Sequence, residues 1–116
     1  THADHFYGEV PCSRKLTDEE IKGNYEENTG RVIAEVFKEI DPMAVPSVLV
    51  NGHGPFCWGN NADNAVYNAV ALEEIAKIAF FTELLGKKES IEQALLDKHF
   101  LRKHGKDAYY GQKNNK

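Results

Sequence analysis

The chain predicts an α/β fold in which few strands are flanked by three substantial helices. The run Ser47–Asn51 is too short and too β-branched to be a helix, whereas 62–85 is a long, almost continuous apolar helical pattern. Two S/T-x-x-E/Q signatures, Thr17-Asp18-Glu19-Glu20 and Ser90-Ile91-Glu92-Gln93, mark helix starts on either side of these segments.

Phe6-Tyr7-Gly8-Glu9-Val10 carries aromatic and branched residues and runs into Pro11, which has no amide to donate, so a short strand is expected over 6–10. The Thr17 hydroxyl can reach the Glu20 amide and the Glu20 carboxylate can reach back, so a helix begins near 18. Gly23 is a candidate break. Val32, Ile33, Val36, Phe37 and Ile40 then recur at helical spacing and stop at Asp41-Pro42. Ser47–Asn51 reads as a buried strand whose side chains contact both neighbouring layers, with Phe56-Cys57-Trp58 as its hairpin return before Gly59-Asn60-Asn61. The helix 62–85 contains Ala65, Val66, Ala69, Val70, Leu72, Ile75, Ala76, Ile78, Ala79 and Phe80 and meets Gly86 at the expected cap. So wide an apolar stripe calls for cover on two sides. A last helix is expected from the second capping box to His104-Gly105, followed by an irregular tail over 107–116.

At 116 residues, 41% hydrophobic and 28% charged, the chain is one ordinary domain. Eighteen acidic residues against 14 basic ones leave a net charge of −4, which argues against nucleic acid or an anionic membrane as partner. No stretch reaches the ~18 apolar residues of a membrane helix, and no charged-then-apolar leader opens the chain. Cys12 and Cys57 lack metal or redox spacing, so reduced thiols in a cytoplasm are expected, with Cys57 filling space rather than binding metal. Lys98, Arg102, Lys103, Lys106 and Lys113 form the one basic excess, expected as a solvated helix face and tail, or as a patch that steers an anionic ligand.

Three residues are candidates for chemistry. His53 lies between Gly52 and Gly54 directly after the apolar run Val48-Leu49-Val50, a strand end at which the missing side chains on either side let a ligand approach the imidazole. A lone histidine there is more often a hydrogen-bonded structural residue than a ligand, and His2, His5, His99 and His104 add no His-x-His or His-Glu-x-x-His spacing. Asp4 taken alone is a turn residue, and Tyr110 an aromatic anchor in a polar tail.

Taken together, Thr1-His2-Ala3-Asp4, Val50-Asn51-Gly52-His53-Gly54-Pro55-Phe56, Leu95–Gly105 and Tyr109-Tyr110-Gly111-Gln112 resemble the class II aldolase family, in its sugar-phosphate epimerase branch. The likeness runs from Thr1 to Gln112 and is to the C-terminal half of such proteins. It implies the C-terminal part of a three-layer α/β/α fold, with the first half absent. It further implies that His53 is one ligand of a zinc or other divalent cation, the rest of whose donors come from the first half, and that Asp4 and Tyr110 are the acid and base. Glu26, His99 and Lys103 are candidates for tuning the Tyr110 phenol, against their plainer reading as polar helix residues.

The reaction implied is the interconversion of L-ribulose 5-phosphate and D-xylulose 5-phosphate. The carbon to be inverted bears a hydroxyl and no acidic proton, so a carbon–carbon bond must break and re-form, with the metal stabilising the enediolate left by the retro-aldol step. The aldehyde fragment re-adds through its other face, and each face needs its own proton donor or acceptor. A sugar-phosphate aldolase on the same scaffold and a non-catalytic structural or binding fragment are the alternatives. The resemblance also implies a homotetramer with active sites at subunit boundaries, where the metal-bearing subunit faces Asp and Tyr from its neighbour.

Overall fold

A hairpin organises the chain. The computed structural model describes residues 4–86 and 89–112, so Thr1–Ala3 of the first motif and Lys113 of the basic group lie outside the described residues. Strand β1 (Ser47–Val50) pairs antiparallel with β2 (Gly54–Cys57), Val48 opposite Phe56 and Val50 opposite Gly54. Four helices accompany them among the described residues: α1 (Asp18–Lys22), α2 (Tyr25–Val36), α3 (Ala62–Leu84) and α4 (Gln93–His104).

Alternation along β1 sends its side chains to two layers. Val48 and Val50, with Phe56 from β2, pack under α2, where Val32 and Val48 are fully excluded from water. On the other side Cys57 packs with Phe6, Val45 and Leu72, bringing in α3 through Leu72, Ala71 and Ile75. The result is a partial α/β layering with a helix on each face of a very small sheet. Leu49 is the exception to the expected double burial, since it keeps 38% of its surface exposed.

The expected strand over 6–10 is displaced. Phe6–Val10 forms no ladder, and pairing instead falls at Pro11–Ser13, where Leu49 N–H donates to the Pro11 carbonyl and Ser13 N–H to the Leu49 carbonyl. Proline cannot donate but accepts freely, so it serves as the first paired residue and not as the end of a strand. Arg14 then fastens this segment to both first helices, bonding the Glu20 carboxylate at 2.8 and 2.9 Å and the Glu35 carboxylate at 2.8 and 3.1 Å. The Arg14 bond and the Thr17 amide pull the Glu20 pKa down to about 2.

The first capping box forms as expected, with Glu20 N–H bonded to Thr17 Oγ1 and Thr17 N–H to Glu20 Oε2, and Gly23 ends α1. Helix α2 stops at Val36, earlier than its apolar spacing suggests. Phe37 and Ile40 leave the helix to pack on the Phe6–Val45–Leu72 cluster, Phe37 also meeting Trp58 edge-on at 5.2 Å. Their helical spacing was therefore incidental to a packed turn. The second capping box does not form: α4 begins at Gln93 with Glu92 as its cap residue and no side-chain cap bond.

Helix α3 is capped by Asn61, whose Oδ1 accepts from Asn64 N–H at 2.9 Å, and at 23 residues it spans ~35 Å. Only Asn68 and Leu72 are buried along it, while Val66, Val70, Phe80, Phe81 and Leu84 are each more than half exposed. The radius of gyration of 16.1 Å, against about 13 Å for a compact chain of this length, reflects that projection.

Val48→Ala removes two methyl groups from a fully enclosed position and is expected to cost about 2 kcal/mol in urea denaturation. Val66→Ala, at 65% exposure on α3, should stay within about 0.5 kcal/mol of the parent.

Candidate functional site

The candidate residues fall into two places. His53 occupies the turn of the hairpin, where its own N–H donates to the Val50 carbonyl at 2.9 Å and closes a tight turn over Val50–His53. Gly52 at φ +75° and Gly54 at φ +145° take backbone angles that side chains rarely adopt, so the two glycines are conformational requirements of the turn as well as space for a ligand. The imidazole is exposed, tilted over Phe56 at 5.1 Å and stacked loosely on Tyr25 at 6.2 Å. With Lys15, Leu16, Ile21, Tyr25, Asn51 and Gly52 it lines a shallow recess of about 220 Å³. Zinc needs three or four protein donors. No group of three histidine, cysteine or acidic side chains able to hold a metal occurs among the described residues, and His53 alone offers a single donor. Cys57 is a half-buried free thiol whose sulfur accepts from Ser47 Oγ at 3.3 Å.

Asp4 sits at the opposite kind of place, only 8% exposed. Helix α4 brings two groups to it: Arg102 Nη2 lies 3.3 and 3.4 Å from its two oxygens, and His99 Nδ1 lies 3.3 Å from Oδ1. An N–H on His104 Nε2 donates to the Asp4 backbone carbonyl at 2.7 Å. The helix is held in register by Phe100, its one buried residue, stacked between Tyr7 at 4.7 Å and His104 at 4.5 Å. Tyr7 Oη donates to Asp97 Oδ1 at 2.6 Å, which raises the phenol pKa and lowers that of the carboxyl.

Tyr110 joins the same cluster. The tail turns back after Gly105, and both Tyr109 and Tyr110 donate their N–H groups to the Arg102 carbonyl, at 2.9 and 3.0 Å. This lays the Tyr110 ring under the Arg102 guanidinium, Cζ to ring centroid 4.2 Å, with the ring still about half exposed. Asp4 and Tyr110, 106 positions apart in the chain, thus flank one guanidinium, while His53 lines a separate recess.

Lys98 and Lys106 are exposed, as a solvated helix face and tail require, and Arg102 is the member that departs from the expectation. Arg102 is turned inward onto Asp4 and Tyr110, and Lys98 lies over the Tyr109 ring at 5.4 Å. Of the suggested tuning groups, His99 faces Asp4, and the cation at the Tyr110 ring is Arg102 instead of Lys103. His99 and Arg102 share a helix face at i, i+3 spacing. That spacing was the available signal, but nothing local tied the face to Asp4.

A small antiparallel hairpin between helices, with a lone imidazole at its turn and a separate carboxylate–phenol cluster, belongs to a particular class of protein. Residues 1–80 match the family described as Class II Aldolase and Adducin N-terminal domain, and the chain belongs to that family. It is similar to L-ribulose-5-phosphate 4-epimerase UlaF from Salmonella paratyphi C (strain RKS4594) and from Salmonella choleraesuis (strain SC-B67), in each case 50% identical over 114 residues. The counterpart from Salmonella paratyphi B (strain ATCC BAA-1250 / SPB7) is 49% identical over the same length. These alignments cover 97% of the chain but 50% of each relative, so the chain spans about half the length of the curated relatives it matches.

Burial acts to raise the Asp4 pKa, but the bond and charge of Arg102, with help from His99, outweigh it and hold the carboxyl below its ordinary 3.8. A depressed folded-state pKa adds stability that is complete above the unfolded value near 3.9 and is lost as pH falls through the folded one. Urea midpoints of the parent and Asp4→Asn should therefore differ most above about pH 5 and converge as the pH drops below about 3.

Proposed function

We propose that the chain is part of a sugar-phosphate epimerase that interconverts L-ribulose 5-phosphate and D-xylulose 5-phosphate by breaking and re-forming a carbon–carbon bond. The observation that carries this reading is the convergence of Asp4 and Tyr110 on Arg102: it supplies one carboxylate and one phenol side by side, the two proton-transfer groups that such a reaction needs. The names of the relatives, all L-ribulose-5-phosphate 4-epimerases, support the substrate.

In the forward direction one of the pair takes the proton from the hydroxyl on the carbon to be inverted. That oxygen becomes an aldehyde, and the electron pair of the cleaved bond passes to the ketose fragment. After the aldehyde rotates, the bond re-forms on its other face and the second group returns a proton to the new alkoxide. Asp4, kept ionised by Arg102, can accept at neutral pH, and the half-exposed Tyr110 hydroxyl can reach a substrate. A divalent cation, zinc on this reading, supplies Lewis-acid stabilisation of the ketose fragment, with His53 as one of its donors.

His53 and the Asp4–Tyr110 cluster lie in separate places on one chain, which fits active sites built at subunit boundaries of a homotetramer, one copy giving the metal-ligating imidazole and its neighbour the acid and base. The exposed apolar residues of α3 suit such an assembly, and a cytoplasmic setting suits its phosphorylated substrate. Since no three-donor cluster occurs among the described residues, the 116-residue chain by itself should be inactive, and a non-catalytic structural role for this polypeptide alone remains the competing reading.

In the active protein, Asp4→Asn and Tyr110→Phe should each lower kcat by about 10²- to 10⁴-fold, and His53→Ala should abolish metal-dependent turnover. Coupled assays decide between epimerase and aldolase: D-xylulose 5-phosphate should accumulate, whereas free glycolaldehyde phosphate as the main product would identify an aldolase. Calorimetry of the isolated chain should show no tight stoichiometric zinc binding; a tight 1:1 isotherm would overturn the view that donors come from elsewhere.

A further inference from the structure

We propose that Arg102 is a positioning residue that sets the Asp4 carboxylate and the Tyr110 ring relative to each other, locking the two proton-transfer groups into one rigid unit. This deepens the function proposed above and rests on its assignment of Asp4 and Tyr110.

Four features of one residue lead to it. One nitrogen of the guanidinium, Nη2, reaches both oxygens of Asp4, at 3.3 and 3.4 Å, so it holds the carboxylate in position. Its face lies 4.2 Å from the centre of the Tyr110 ring, a stacked cation–π geometry. Its backbone carbonyl takes the N–H groups of Tyr109 and Tyr110, so the tail is registered on the same residue that holds the ring. Its Nε is buried without a hydrogen-bond partner, although in a planar guanidinium that nitrogen must follow the other two. Leaving a buried donor unpaired is unfavourable; the placement becomes intelligible if edge contact with Asp4 and face contact with Tyr110 take precedence over satisfying Nε.

Edge and face are used together, and only arginine offers both. A lysine retains the charge but presents a single ammonium, without a plane to stack on the Tyr110 ring. His99, the other group against the Asp4 carboxylate, touches one oxygen and does not lie over the tyrosine in any ring contact found among the described residues. The arrangement thus separates two tasks: His99 and Arg102 together keep Asp4 ionised, while Arg102 holds the Tyr110 ring and, with Gln112 bonded to the Tyr110 and Lys103 carbonyls, the backbone that carries it.

Arg102→Lys and Arg102→Gln test it, with circular dichroism to verify folding. In the isolated chain, nuclear magnetic resonance should show the Tyr110 ring protons losing their contacts to residue 102 and moving toward random-coil positions in both variants, while the Asp4 carboxyl titration rises more in Arg102→Gln than in Arg102→Lys. Tyr110 resonances that stay in place in both variants would overturn the proposal. In the active protein, Arg102→Lys should lower kcat by about 10- to 100-fold, the scale of a small misplacement of a reacting group, while KM for the sugar phosphate changes less than threefold. If Asp4→Asn and Tyr110→Phe abolish turnover but Arg102→Lys retains full kcat, the positioning role is wrong and the function stands. If Asp4→Asn and Tyr110→Phe leave kcat intact, the function fails, and the role of Arg102 in catalysis fails with it.

Discussion

A carboxylate taken almost wholly out of water has to be met by charge, and in this chain the charge comes from the far end. Asp4 and Arg102 are 98 positions apart, and their pairing closes the N-terminal segment against α4. Removing Arg102 would leave the buried carboxylate with His99 alone to offset its desolvation, which makes such pairs costly to break even where they contribute little to net stability. Much follows from that constraint. Helix α4 buries only Phe100, so apolar packing alone does not explain its position; the Tyr7–Phe100–His104 stack, the Tyr7–Asp97 bond and the Asp4–Arg102 pair hold it against residues 4–7. The tail in turn takes its place from the Arg102 carbonyl.

What could be read from the sequence was whatever is decided within a few residues. The Thr17–Glu20 capping box is complete in four positions, and it forms; Ser90–Gln93 fits the same pattern, but α4 starts at Gln93 with Glu92 as its cap residue and no side-chain cap. The hairpin follows from the branched run ahead of Gly52 and Gly54, and α3 from its apolar density. The end of α2 was illegible because Phe37 and Ile40 satisfy helical spacing yet serve a cluster built by Phe6, Val45 and Leu72, three distant segments. The strand expected at 6–10 failed for a related reason: propensity marks residues that suit a ladder, but only Pro11–Ser13 lie beside Leu49.

The candidate site divides the same way. His53 was visible because its glycines are adjacent to it and its turn is local. Asp4 and Tyr110 came from the family resemblance, since neither has neighbours in sequence that distinguish a proton-transfer group from a turn aspartate or a packed aromatic. Arg102 was counted among solvated basic residues because composition gives a side chain's charge and not its direction. A guanidinium can serve as a surface charge or as the shared wall of two functional groups, and the choice is made by tertiary contacts alone.

The separation of the two places has a chemical consequence. A carboxylate and a phenol can move protons but cannot by themselves stabilise the electron pair released when a carbon–carbon bond breaks, and a lone imidazole cannot hold the cation that would do so. Each half is therefore incomplete in a complementary way. If one sugar phosphate is to meet both, the His53 recess of one copy must face the Asp4–Tyr110 cluster of another, or further polypeptide must bridge them. Helix α3 is the element with surface to spare for such contact: Phe80, Phe81, Leu84 and Leu85 are 60–80% exposed in sequence proximity, an apolar expanse at odds with a helix whose final surroundings are water.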